Sequence, residues 1–186
     1  MPKGRQLLGL PVIAVDSGEV LGQVEELLLD TEHRKLAALV VREGSWLKSP
    51  QIIRWPDVLS VGRDAVTVAD QSVLEAGSRE NAAGEFLEHS VQKYTGLRVV
   101  TADGNDVGTL EDVVVELPSG QVSGWELSDG LIQDLLSGRV CLLPQDILSF
   151  GKNAVVVSEQ VNNLWKVDQG RGTSHEVPGV QWRSNG

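Results

Sequence analysis

Paired carboxylates are the first residues in this chain that could do chemistry. Glu25 and Glu26 lie in the stretch Gly9–Asp30, and Glu111 and Asp112 hold the matching places in Gly96–Glu116. Two carboxyl groups at one site can divide the roles of general acid and general base. They can also offer oxygen ligands to magnesium or calcium, which need several such oxygens converging. The plainer reading is a solvated strand edge whose charge discourages pairing with another chain, and the sequence favours it. His33, His89 and His175 fall in a predicted turn, a linker and a tail, with no spacing that would bring them to one metal ion. Cys141 is the single cysteine, so neither an internal disulfide nor a thiolate cluster can form. It sits in the apolar run Val140-Cys141-Leu142-Leu143, where a free thiol packs as a small hydrophobe. The chain has no nucleophile elbow, no His-Glu-x-x-His, no P-loop and no dinucleotide fingerprint. Gly170-Arg171-Gly172 lacks the strand-to-helix setting that a phosphate loop requires. The sequence therefore nominates no catalytic, cofactor-binding or metal-ligating residue, and predicts neither an enzyme nor a small-molecule ligand.

Aromatic side chains are more informative. Trp125 aligns with Leu39 and continues an apolar strand face with Leu127, which predicts a core position. Trp55 aligns with Leu143, just before a proline, and reads the same way. Trp46 has no counterpart and is followed by Leu47 in the loop Gly44–Pro50. Aromatic residues are enriched at protein interfaces, so Trp46 and Leu47 are candidate contact residues, against packing onto their own domain. Leu131, Ile132, Leu135 and Leu136 fall at helical spacing in Ser128–Gly138, an insert that either caps a barrel or docks a partner. Leu131 and Ile132 join the candidate contacts on that ground.

The elements that must position these residues are strands, and they are written twice. Gly9–Asp30 and Gly96–Glu116 both open with Gly-Leu, run into an apolar strand, turn at Asp16-Ser17-Gly18 or Asp103-Gly104-Asn105, and resume around Gly22 or Gly108. Pro56–Val68 and Pro144–Val157 form a second echo if Gln145 is taken as an insertion. Two copies of one fold is the reading. The first copy predicts strands near Leu10–Val15, Val20–Leu29, Lys35–Arg42, Gln51–Trp55 and Ala65–Ala69, divided by turn signals. The long second strand alternates imperfectly, which predicts a bulge or strong coiling. Pro56 predicts a short helical turn running through Leu59. Residues 1–75 and 94–159 then form two domains, 76–93 a partly ordered linker with a helical turn in Ala83–His89, and 160–186 a tail that is frayed or draped as a strap.

Composition limits the partners. The 186 residues are 41% hydrophobic, enough for a core, and carry a formal charge of −10. Residues 1–95 and 96–186 are acidic by 4 and 6 charges respectively, so neither half offers phosphate-neutralising surface. Direct binding to nucleic acid is disfavoured and a basic protein partner is permitted. The N-terminus lacks a signal-peptide core, and no run approaches the roughly 20 apolar residues of a membrane helix. The expected location is cytoplasmic, without membrane insertion.

The order of these pieces, Gly-Leu-x-Val, Asp-x-Gly and a later Gly, closed by Pro-x-Asp-Val/Ile-Leu-Ser-x-Gly, resembles the PRC-barrel family written in tandem over Leu7–Asp70 and Tyr94–Glu159. The resemblance implies a mainly β protein of two small, strongly bent barrels with short helical turns. It also implies a binding or assembly module: the family includes the cytoplasmic domain of the reaction centre H subunit and the C-terminal domain of a ribosome maturation factor. The leading expectation is thus a non-catalytic adaptor that binds another protein or itself. The alternatives are an accessory to ribosome assembly or RNA metabolism acting through a basic protein and, more weakly, an enzyme with the four carboxylates gathered between the barrels.

Overall fold

The computed structural model describes residues 1–42, 51–77, 89–128, 139–159, 161 and 165–167. The first copy supplies β1 (Pro11–Ala14), β2 (Val20–Asp30), β3 (Lys35–Arg42), β4 (Gln51–Arg54), β5 (Val58–Val61), β6 (Val66–Val68) and β7 (Glu75–Ala76). After a one-turn helix α1 (Val91–Tyr94), the second copy supplies β8 (Arg98–Thr101), β9 (Asp106–Glu116), β10 (Gln121–Ser128), β11 (Arg139–Leu142), β12 (Ile147–Phe150) and β13 (Ala154–Val157). The tail adds β14 (Trp165–Val167), which pairs with β11. The protein is mainly β, as expected.

Bending comes from irregularities the sequence predicts. Pairing of β2 with β3 slips between Val24 and Glu26 and again between Leu28 and Leu29. Gly22, at φ +154°, brings β2 so close to β3 that a Cβ would lie 2.7 Å from the Arg42 carbonyl oxygen, so only glycine fits. Gly108 repeats the geometry in β9 at φ +139°.

The turn after β4 is tighter than the sequence implies. A 3-10 turn spans Trp55–Asp57 and Val58 is already extended, because the following residues pair with β6. Its equivalent in the second copy is Pro144–Asp146. Leu39 faces Ile53 and Trp125 faces Leu142 across matching strand pairs. The register therefore runs without a gap: Arg54 matches Leu143, and Trp55 matches Pro144. The insertion at Gln145 and the alignment of Trp55 with Leu143 are corrected by this register. Sequence identity had paired two prolines that occupy neighbouring, not equivalent, places.

The two copies are not separate closed barrels. Their strands form one open sheet in the order β12-β13-β8-β9-β10-β3-β2-β1-β6-β5, with β4 and β11 branching from β3 and β10. The join is reciprocal. Leu36 N–H donates to the Gly120 carbonyl (2.8 Å) and Val122 N–H donates to the Arg34 carbonyl (2.9 Å). Leu36 matches Val122 and Arg34 matches Gly120, so the copies are related by a local two-fold axis.

The same axis exchanges their leading segments. Leu29 N–H on β2 donates to the His89 carbonyl (2.9 Å), and Val115 N–H on β9 donates to the Pro2 carbonyl (3.0 Å). Each copy thus covers the long strand of the other with the segment that precedes it. Within the stretch read from sequence as linker, Ser90 and Val91 are buried, and Val91 joins Tyr94 in the shared core. One contiguous apolar cluster runs from Leu7 to Val157 through both copies, and its burial is the main stabilising term.

Candidate functional site

Where the two-fold match breaks down, a pocket opens. On one side of the axis Trp55 is 7% exposed, and its indole N–H donates to the Pro118 carbonyl (3.1 Å). The ring lies flat over Gly120, where a Cβ would stand 2.3 Å from the indole nitrogen. On the other side the counterparts are Pro144, Glu32 and Arg34. Among the described residues no indole fills that position, and a pocket of about 330 Å³ remains, within the lower range of ligand-sized sites. Trp125, Phe150, Ile147, Leu148 and Val122 form its apolar wall, while Asp30, Glu32, Arg34 and His89 bring polar groups from the first copy and α1's approach.

The aromatic wall is braced from behind. Tyr94 meets Trp125 edge-on at 6.3 Å between centroids, and Phe150 lies 4.6 Å from Tyr94 and 5.4 Å from Trp125. Such tilted and edge-on pairs are favourable for the ring quadrupoles. Tyr94 also shares a 2.6 Å hydrogen bond with His89 Nδ1. Burial pushes the Tyr94 phenol above its ordinary value, so it stays protonated and neutral. At the rim, Asp30 accepts from the His33 backbone N–H (2.9 Å) and lies 2.7 Å from His33 Nδ1. Burial pushes the Asp30 carboxyl up, but the His33 hydrogen bonds and the charges of His33 and Lys35 outweigh it. The net pKa lies below 3.8. This carboxylate therefore stabilises the fold above that value, and the contribution is lost as pH falls through the lowered pKa. His33, exposed to solvent, and half-buried His89 both have specific partners beside the pocket.

The carboxylate pairs do something different. Arg42 Nε on β3 holds Glu25 on the neighbouring β2 at 2.8 Å, in an exposed pair. Glu111 and Asp112 meet the N-terminal segment: Arg5 Nε lies 2.6 Å from Asp112 Oδ2, and its terminal nitrogen is 3.3 Å from both Glu111 and Glu126. Lys3 Nζ is 2.6 Å from Glu126 Oε1. Glu126 is fully buried and Asp112 nearly so, which makes this a clasp rather than a surface decoration. The first copy has an apolar patch of Leu28, Ala38, Val40 and Ile52 at the corresponding place. Cys141, paired with Glu126 across β10 and β11, is buried. Burial first, and the Glu126 charge second, push its thiol up to about 12. Of the four carboxylates of the enzyme reading, Glu25 is thus tied to Arg42, while Glu111 and Asp112 are tied to Arg5. Among the described residues, no three His, Cys, Asp or Glu side chains gather as a metal-binding group.

Trp46, Leu47, Leu131 and Ile132 lie outside the described residues, as do the helical turn expected near Ala83 and the helix expected in the second-copy insert. The pocket residues escaped sequence reasoning because their signal is a mismatch between copies, Trp55 against Pro144 and Gly120 against Arg34. The gapped alignment concealed it.

A model of the PRC-barrel domain matches the chain twice, over residues 3–74 and 88–160. The chain belongs to the PRC-barrel family. The matches coincide with the two copies related by the local axis, and both include a leading segment that crosses to the other copy. No curated protein matches the chain. PRC-barrel domains occur in protein-interaction and assembly modules. No helix among the described residues of this PRC-barrel protein is long and apolar enough to cross a membrane.

Proposed function

We propose that this tandem PRC-barrel protein is a non-catalytic, cytoplasmic adaptor that holds a basic protein partner at the groove between its copies. The observation that carries the reading is the broken symmetry. The copies use their matching surfaces against each other, through β3, β10 and the exchanged segments, and among the described residues leave an unmatched pocket between them. The rim adds Leu148, 59% exposed on β12, the end strand of the sheet with one edge unpaired among the described residues. An apolar side chain beside an open strand edge suits strand addition by an extended polypeptide. Net charge of −10 favours a basic partner through complementary steering. The carboxylates tied up by Arg5 and Arg42 support a structural role for those groups.

The test is affinity capture on the full chain at low salt, followed by mass spectrometry and reconstitution with the purified candidate. A stoichiometric basic partner whose affinity falls with added salt is expected. A chain that captures no stoichiometric partner and runs as a monomer would overturn the adaptor reading.

A further inference from the structure

We propose that the pocket between the copies receives an aromatic side chain, of tryptophan size, presented by the partner polypeptide. The protein carries its own template for this occupant. At the two-fold-related position Trp55 fills the space, with its ring on Gly120 and its N–H on the Pro118 carbonyl. In the pocket, Glu32 lines the place that corresponds to Pro118, and Pro144 stands where Trp55 would begin. Arg34 replaces Gly120, so an incoming ring cannot lie flat on the backbone. It sits instead between Arg34 and the half-buried Phe150 and Ile147, where ring stacking and a cation–π contact are both available.

Three features favour a polypeptide source over a free small molecule. The pocket is lined by β12, whose outer edge is unpaired among the described residues and offers backbone hydrogen bonds to an extended chain. Leu148 and Ser149, both exposed, line the pocket from β12 itself, giving neighbouring residues of a strand something to touch. Asp30 and Glu32 at the rim suit basic residues flanking the ring.

This inference rests on the adaptor reading, and its test separates the two. The full chain, labelled with nitrogen-15, is titrated with Ac-Lys-Trp-Lys-NH2, with Ac-Lys-Ala-Lys-NH2 and with free indole. The tryptophan peptide is expected to shift the Trp125 indole N–H and the amides of residues 29–34 and 147–150. The alanine peptide should bind at least about tenfold more weakly, the scale of one lost anchor. The double variant Pro144→Trp with Arg34→Gly rebuilds the filled arrangement. It should remain folded and lose the peptide response. Equal shifts with both peptides, shifts elsewhere only, or indole binding as tightly as the peptide would each overturn the proposal; the peptide comparison needs no variant to fold. A natural partner captured equally by the wild type and the filled variant would leave the adaptor standing and remove the pocket from it.

Discussion

A Cβ added at Gly120 would meet the Trp55 ring at 2.3 Å on a backbone at φ +74°, so this residue carries both a steric and a conformational demand. Gly120→Ala is expected to destabilise the protein by about 2–4 kcal/mol, combining left-handed strain with overpacking. Its counterpart Arg34 already accepts left-handed strain at φ 54°, and Arg34→Gly should therefore raise stability, by up to about 1 kcal/mol. Denaturant midpoints of the two variants should move in opposite directions. Cys141 gives a pH prediction. Its thiol is raised to about 12 when folded and returns to about 9.0 when unfolded. The unfolded chain then binds fewer protons above pH 9, so stability falls as pH rises beyond it, and Cys141→Ala should remove the part of the decline that begins near pH 9, leaving the part from the raised Tyr94 phenol. Much at this scale was legible in the sequence: the glycines of both hairpins, the buried thiol and the core position of Trp125. The plug was not, because aligning Pro56 with Pro144 satisfies residue identity while strand register pairs Trp55 with Pro144.

At the scale of elements, the exchanged leading segments determine where a perturbation is felt. Arg5 precedes the first copy but holds Asp112 on β9 of the second. Arg5→Ala leaves two buried carboxylates short of a partner and should cost about 2–4 kcal/mol. Hydrogen exchange should show the loss at β9, including the Val115 amide bonded to Pro2, while β2 keeps its protection. Equal deprotection of both long strands would argue against the exchange. The strands themselves, the slip in β2 and the helical turn after β4 follow from alternation, glycine and proline and could be read in advance. The exchange could not. Lys3–Leu7 and Ser90–Tyr94 share only a closing apolar residue, Leu7 against Tyr94, and each of their partners is distant in sequence.

For the whole molecule, two tandem domains joined by a linker would suggest two bodies free to swing. The continuous sheet, the shared core from Leu7 to Val157 and the crossed segments describe one body instead. The groove exists only while the copies are locked, since Asp30 and Arg34 come from one and Trp125 and Phe150 from the other. Duplication was legible in the sequence, but the two-fold join was not, because it depends on backbone hydrogen bonds at Leu36 and Val122 that carry no side-chain signature. Differential scanning calorimetry of the full chain tests this most directly. The structure predicts a single transition whose calorimetric and van't Hoff enthalpies agree. Two resolved transitions, or a calorimetric enthalpy near twice the van't Hoff value, would show that the copies unfold independently and would contradict it.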